Sequence, residues 1–255
     1  MTNLLKDQVA IITGAGRGLG REFALRFAGE GAKLLLPDID LQRAENTARE
    51  INSAGGEASA IETDISNENA TREMAEKVMQ LYGKADILIN NAAVYYGVNN
   101  KPWDTWTVEE WDKMFEVNVK GTWLCCKAIA PLMKKQSRGK IINIASNVAR
   151  VPGASWVLPY ACSKGAVFTL THALARALGK SGINVNAIAP GYTATEASLS
   201  QFDTERTSKS SISMQSFPRR EEPSDLVGTA VFLASPDSDF ITGQVIYVDG
   251  GLVTL

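Results

Sequence analysis

The chain has 255 residues, 45% of them apolar, and its 26 basic and 28 acidic side chains leave a net charge of −2. That is enough apolar material for a large core, and α/β folds of this length commonly form one unit, so a single domain over residues 1–255 is expected. The charges nearly cancel and form no run of one sign, which leaves no footprint for nucleic acid or an anionic membrane and points to a small-molecule ligand. No apolar run approaches the roughly 18 residues a membrane-spanning helix needs. Cys125, Cys126 and Cys162 are odd in number and lack metal-ligand spacing. Such a set fits a reducing compartment, and with no leader-like segment before the first apolar run a cytoplasmic protein is expected, with no metal.

In chain order, short apolar runs alternate with longer stretches of helical spacing, the pattern of repeated β-α-β units around a parallel sheet. Strands are predicted at Val9–Thr13, Lys33–Pro37, Ala58–Glu62, Ile87–Asn90, Lys140–Ala145, Asn184–Ala189 and Val245–Val248. Helices are predicted near Gly18–Gly29, Leu41–Ala54, Asn67–Tyr82, Val108–Lys135, Tyr160–Lys180 and Pro223–Ala234. Thr107 with Glu110 fits a capping box, Asp40 a helix cap and Pro223 a first-turn position. The exception to the alternation is Thr193–Arg220, polar and rich in Ser and Thr. A segment of that length inside a compact domain is usually functional, and a substrate lid containing short helices is expected there.

The first strand runs into Thr13-Gly14-Ala15-Gly16-Arg17-Gly18-Leu19-Gly20. Glycines permit close approach of a pyrophosphate to a helix N-terminus, whose unpaired amides favour negative charge; they also serve any tight turn. Asp38 ends the second strand about 20 residues further on, where a carboxylate can hold both ribose hydroxyls of NAD and repel the extra phosphate of NADP. Arg17 could instead pair with that phosphate. Tyr160 and Lys164 are four apart and share one helix face, so the ammonium is expected to lower the phenol's pKa and make it a better base. Ser146 ends the fifth strand, at the edge where ligands gather in open α/β sheets. Asn90, Asn91 and Asn118 also fall near strand ends or a helix start.

Together these residues resemble the short-chain dehydrogenase/reductase family, from Leu5 to Gly251. The family's glycine turn is met by Thr13, Gly14, Gly18 and Gly20, and its Asn-Asn-Ala-Gly by Asn90-Asn91-Ala92-Ala93, with Ala93 in place of glycine. Its Asn-Ser-Tyr-Lys set falls on Asn118, Ser146, Tyr160 and Lys164. Pro190, Gly191 and Thr195 match the stretch beside the nicotinamide, and Thr193 stands where the family more often has Val or Ile. The spacing from Ser146 to Tyr160 is about one residue longer than usual.

The resemblance implies a doubly wound Rossmann fold of seven parallel strands with helices on both faces. It further implies an oxidoreductase passing a hydride between a nicotinamide cofactor, NAD rather than NADP, and a secondary alcohol or ketone. Tyr160 would be the general acid/base, Lys164 would tune it and hold the nicotinamide ribose, Ser146 would fix the substrate oxygen, and Asn118 would anchor a relay water. Cofactor contacts are expected from Gly14, Arg17, Gly18, Leu19, Gly20, Asp38, Asp64, Ile65, Asn91, Ala92, Pro190, Gly191, Thr193 and Thr195. Family members commonly form homotetramers, which is expected here with Gln244–Asp249 at one interface.

Substrate contacts are expected from Tyr95, Tyr96, Ser146, Asn147, Val148, Trp156, Tyr192 and the lid around Leu199 and Phe202. Their apolar and aromatic bias suggests an uncharged, ring-bearing alcohol. An epimerase or lyase that retains its cofactor, or a non-catalytic dinucleotide sensor, remains an alternative. The single histidine, His172, lies in the helix three turns after Tyr160 and is expected to pack or to serve an interface rather than a hydrolase, and Cys162 is expected to be a small buried helix residue.

Overall fold

Every residue of the first strand, β1 (Val9–Ile12), is apolar and buried. A strand with no polar face must be covered on both sides, the situation of a parallel sheet between two layers of helices. The computed structural model of the chain describes residues 3–95, 98, 100–151, 154–200 and 204–254, apart from the side chains of Thr204 and Arg206. Tyr96 and Phe202, expected at the pocket, lie outside the described residues. The other strands are β2 (Lys33–Asp38), β3 (Glu57–Glu62), β4 (Ile87–Asn90), β5 (Gly139–Ile144), β6 (Ile183–Pro190) and β7 (Val245–Val248). All pairings are parallel, in the order β3-β2-β1-β4-β5-β6-β7. This is the doubly wound fold that the sequence predicts, with strand ends shifted by at most one residue.

Alternate side chains divide the core. Ala10, Ile12, Leu34, Leu36, Ile142 and Ile144 pack against Phe23 and Phe27 of α1 (Gly18–Gly29), Ala44 and Ile51 of α2 (Leu41–Ser53), and Leu226 and Val231 of α9 (Pro223–Ala234). On the opposite face, Val9, Ile11, Leu35, Leu88, Ile141 and Val185 meet Met74 and Val78 of α3 (Glu68–Tyr82). The same layer holds Ile129 and Met133 of α5 (Thr122–Gln136) and Leu178 of α6 (Leu158–Leu178). The period of two in the strands is thus the period of the two layers.

The helix predicted over Val108–Lys135 is interrupted. It comprises α4 (Val108–Phe115), a wide π-helical turn over Glu116–Gly121, and α5. The extra residue of such a turn is invisible to apolar spacing, and a π-bulge often marks a functional position. Gly121 ends it, where an added Cβ would lie 2.8 Å from Ile65 Cδ1. The capping signals are met: Thr107 and Glu110 form a reciprocal box, Asp40 accepts from Arg43 N at 3.2 Å, and Pro223 opens α9. Within Thr193–Arg220 the chain forms α7 (Glu196–Leu199) and α8 (Thr204–Met214).

Cys125 and Cys126 are buried, and burial raises both thiols, Cys126 to about 12. Cys162, expected to be buried, is partly exposed, and His172 is exposed on α6. Among the described residues no helix is long and apolar enough to cross a membrane.

Phe27 is fully buried between the sheet and α9. Phe27→Ala is expected to lower stability by about 3–5 kcal/mol, read from urea unfolding with the slope unchanged.

Candidate active site

In the sheet order β1 and β4 are neighbours although β2 and β3 lie between them in sequence. The chain therefore leaves the carboxyl ends of β1 and β4 in opposite directions, and a crevice opens between them. Across this crevice Thr13 Oγ1 accepts from the amides of Asn91 (3.0 Å) and Ala92 (3.1 Å). Asn91 Nδ2 also donates to the carbonyls of Thr13 (3.0 Å) and Gly14 (3.1 Å). The approach is too close for side chains. A Cβ on Gly14, whose φ is +67°, would lie 2.9 Å from Ala92 Cα, and one on Gly20 would lie 2.1 Å from the Gly14 carbonyl oxygen. Gly18 differs: its φ is +54°, and only Thr195 Cβ, at 3.8 Å, would lie near an added carbon. The first turn of α1 contains no acidic residue, and its N-cap, Arg17, makes no side-chain cap. The exposed amides of that turn form an anion site.

At the far end of β2, Asp38 is half-buried and accepts from Gly16 N (2.8 Å) and Asp40 N (3.0 Å). Asp64, after β3, accepts from Ser66 N (2.9 Å) and Ser66 Oγ (2.7 Å). Burial raises its carboxyl, but these bonds and the charges of Lys113 and Lys120 together hold it below the usual carboxylate range. Between the two, the Thr63 hydroxyl is buried with no partner among the described residues. An open helix N-terminus, a carboxylate with free lone pairs and an unpaired hydroxyl on one wall suit the diphosphate, ribose and base of a dinucleotide.

The other end of the cleft is built by β5 and α6. Ser146, just after β5, hydrogen-bonds Tyr160, near the start of α6. One turn on, Lys164 is 4% exposed and donates to the Ile144 carbonyl at 2.7 Å, with Nζ 5.7 Å from the Tyr160 ring centroid. Tyr95 packs on the same ring at a centroid distance of 5.0 Å. The expectation that Lys164 lowers the Tyr160 pKa is not met in this state. Burial raises the phenol, Tyr95 adds to the rise, and the bond with Ser146 only partly opposes it. Burial also lowers Lys164, to about 8. Desolvation disfavours the charged form of each group, and the ammonium is aimed at a carbonyl rather than at the phenol oxygen.

Asn118 lies in the π-helical turn and is buried. Its Oδ1 accepts from Val94 N at 2.7 Å and its Nδ2 donates to Ser163 Oγ at 3.1 Å. Its side chain is therefore committed to joining the loop after β4 to α6.

A cavity of about 920 Å³ connects the two ends. It is lined by the described site residues predicted from the sequence, Tyr95, Asn147, Val148, Trp156 and Tyr192 included, except Gly20, packed behind the turn, Asn118, buried behind Val94, and Leu199, which is exposed and does not reach it. Neither His172 nor Cys162 lines it. The sequence reading missed Thr63, Lys113, Ser210, Ser211, Met214 and Leu252 on the wall, and the buried carboxylates Glu221 and Asp249 behind it. The position of Asp249 directly after the last strand was a signal; the rest sit on helix faces and loops that carry no pattern.

The comparisons with known proteins agree with this geometry. A family model described as enoyl-(acyl carrier protein) reductase matches residues 14–253. Galactitol 2-dehydrogenase of Agrobacterium fabrum is 39% identical over 257 residues, covering 97% of this chain and 98% of its own. The (2S)-[(R)-hydroxy(phenyl)methyl]succinyl-CoA dehydrogenase subunit BbsD of Thauera aromatica is 38% identical over 97% of both chains. A crystal structure of 7α-hydroxysteroid dehydrogenase complexed with NADH and 7-oxo glycochenodeoxycholic acid superposes with a TM-score of 0.91, at 35% identity over 98% of this chain and 96% of that one. The fold and cleft are those of an oxidoreductase that uses a nicotinamide cofactor on alcohols and ketones. The chain belongs to the short-chain dehydrogenase/reductase family.

Two glycines of α1 separate packing from helix propensity. Gly20→Ala forces a carbon into the Gly14 carbonyl and is expected to weaken NADH binding at least tenfold, equivalent to about 1.4 kcal/mol. Gly29→Ala meets nothing within 4 Å and is expected to leave binding unchanged; fluorescence titration with NADH compares the two.

Proposed function

We propose that the chain interconverts an uncharged secondary alcohol and its ketone with NAD in preference to NADP, and that Tyr160 is the proton-transferring residue. The observation that carries this reading is the convergence of Ser146, Tyr160 and Lys164 on one end of a cavity whose other end is the glycine turn and Asp38. A bound nicotinamide cofactor supplies the hydride acceptor in oxidation and the donor in reduction. Tyr160 Oη takes the proton of the alcohol in one direction and returns it in the other. Ser146 Oγ holds the same substrate oxygen, at the end of the cavity that both it and Tyr160 line.

Lys164 is proposed to hold the nicotinamide ribose and, when that end of the cleft is filled, to bring its charge to bear on Tyr160. Its ammonium is held by a hydrogen bond to Ile144 O. Gly14, Arg17, Gly18 and Leu19 are assigned to the diphosphate, with Asn91 and Gly20 fixing their turn; Asp38, Asp64 and Ile65 are assigned to the adenosine. Ala92, Pro190, Gly191, Thr193 and Thr195 are assigned to the nicotinamide side. Asn118 is assigned to the proton relay through its backbone, since its side chain is spent on Val94 and Ser163.

The substrate is placed against Tyr95, Asn147, Trp156 and Tyr192. The other ionisable groups of the wall, Arg17, Asp38, Asp64 and Lys113, belong to the glycine-turn end, so around Tyr160 the described lining offers rings, amides and hydroxyls but no charge besides Lys164. That bias favours an uncharged reacting centre with a ring or apolar body. The stretch Thr193–Arg220 is proposed as the lid of a single catalytic domain, since α7 and α8 bring Ala197, Thr207, Ser210, Ser211 and Met214 to the cavity. A cytoplasmic homotetramer completes the proposal; Trp123, Phe232 and Phe240 are exposed and available for burial between copies.

Cofactor choice is tested by titrating NAD and NADP calorimetrically. NAD is expected to bind more tightly, and Asp38→Ala is expected to narrow the difference by removing both the ribose bonds and the repulsion of a phosphate; tighter NADP binding by the parent protein would assign dominance to Arg17. Tyr160→Phe keeps the ring and deletes the proton carrier. Steady-state oxidation of a panel of secondary alcohols is expected to slow by at least about 100-fold, with NADH affinity retained. A folded Tyr160→Phe protein that keeps most of its activity defeats the mechanism.

A further inference from the structure

Behind the nicotinamide-side wall lie two buried carboxylates that the proposed mechanism does not use. Glu221, between α8 and α9, is 7% exposed, and Asp249, at the end of β7, is 3% exposed. Glu221 Oε2 accepts from the Gly191 amide at 3.0 Å and Oε1 accepts from Thr193 Oγ1 at 2.5 Å. Its main-chain carbonyl accepts from Ala194 N at 2.8 Å, and a parallel bridge joins Glu221 to Thr193. One residue thus binds Gly191, Thr193 and Ala194 through side chain and backbone. Gly191 is pinched between the carboxylates: a Cβ there would lie 2.6 Å from Glu221 Oε2 and 3.1 Å from Asp249 Cβ. Asp249 continues the tie to the catalytic side. Its Oδ2 accepts from Asn147 Nδ2 at 3.1 Å, next to Ser146, and its Oδ1 accepts from the amides of Gly251 (3.1 Å) and Leu252 (3.2 Å).

From this geometry we infer that Glu221 is a positioning residue: it sets the height of the Gly191–Thr193 wall, and through it the fit of the cofactor. This rests on the assignment of the cavity as the cofactor site. Thr193, found where the family more often has Val or Ile, supplies the hydroxyl that binds Glu221; a hydrocarbon there could not. The two residues form one unit.

The groups that face Glu221 are few. Asp249 approaches from β7 and Asp225 from the first turn of α9, the latter paired with Arg219 at 2.6 and 2.7 Å. Arg220 turns its Nε to Ser208 of α8 at 2.9 Å. From the β6 side the contacts are the Gly191 amide and the Thr193 hydroxyl, which favour the carboxylate. Burial opposes it most strongly, Asp249 and Asp225 add to that opposition, and the carboxyl is pushed up to about 7. A folded-state pKa above the unfolded one stabilises the fold while the proton is bound. That contribution is complete below the ordinary value of 4.5 and is lost as the pH rises through about 7.

The test compares the parent chain with Glu221→Gln, Glu221→Ala and Thr193→Val. Thermal unfolding without cofactor is followed from pH 5 to pH 7.5. The parent is expected to lose on the order of 5 °C relative to Glu221→Gln across that interval, because the amide keeps the shape and cannot ionise. Fluorescence titration with NADH is expected to show roughly threefold to tenfold weaker binding for Glu221→Ala and Thr193→Val, the effect of about one hydrogen bond, and near-parent binding for Glu221→Gln. Thr193→Val reads the tie from the other side should truncated Glu221 not fold. Parent-like NADH affinity in both Glu221→Ala and Thr193→Val overturns the inference, as does a midpoint difference that is the same at pH 5 and pH 7.5. A parent chain that binds no NADH defeats the cofactor assignment instead, and the unfolding comparison, which needs no cofactor, still decides whether Glu221 titrates in place.

Discussion

The contact that the rest of the site depends on is the one between the glycine turn and the start of the loop after β4. Two parallel strands lie side by side there, and the chain leaves them in opposite directions, so their ends tend to part. Four hydrogen bonds close the gap, all donated from Asn91 and Ala92 to the Thr13 hydroxyl and the carbonyls of Thr13 and Gly14. The bonds are possible only because Gly14 and Gly20 present no Cβ to Ala92 and to the Gly14 carbonyl. Moving either backbone outward by the width of a methyl group would tilt the first turn of α1, and with it the amides that face the crevice. The cleft is thus held open at one level and pinned at the level below.

At the catalytic end burial does the organising and also creates a difficulty. Lys164 keeps its side chain inside the core and satisfies it with the Ile144 carbonyl. Tyr160 shares the same poorly hydrated surroundings, against Tyr95 and Ser146. In the structure each charged form is disfavoured, which moves the phenol away from neutral pH and the ammonium toward it. A low-dielectric pocket magnifies whatever polar group enters it.

Much of this was legible in the sequence, for a physical reason in each case. The strands were readable because parallel strands buried on both faces are uninterrupted apolar runs, as in Ala10-Ile11-Ile12 and Leu34-Leu35-Leu36. The residues expected at the cavity were readable because an open α/β sheet puts its ligand at the carboxyl ends of the strands, where Asp38, Asn91, Ser146 and Gly191 follow directly. The π-helical turn was not readable, since Val108–Lys135 keeps apolar spacing across it. Nor was the commitment of Asn118 to Val94 and Ser163, a partnership over 24 and 45 residues of chain. The electrostatics of Tyr160 and Lys164 also escaped. Spacing on a helix shows that two side chains share a face, but the balance between desolvation and attraction depends on the elements packed around them.

The same distinction separates the chemistry of the cleft from its selectivity. Gly14, Asp38, Ser146 and Gly191 are carried by strand ends, whose positions are fixed by a ladder of backbone bonds and two buried layers. Trp156, Met214 and Leu252 come from a short 3₁₀ segment, the last turn of α8 and the chain's final turn. None of the three lies in a strand of the sheet. Binding residues tend to sit on such connections because a rigid scaffold lets them vary without cost to the fold. Relatives that share between 32% and 39% identity with this chain carry names for a sugar alcohol, a phenyl-bearing CoA ester and a hydroxysteroid. That spread is what a fixed floor and an exchangeable rim produce. In this chain Glu221, just past the Thr193–Arg220 segment, reaches back to the backbone of Gly191, so a change in the rim has a direct path to that wall of the cleft.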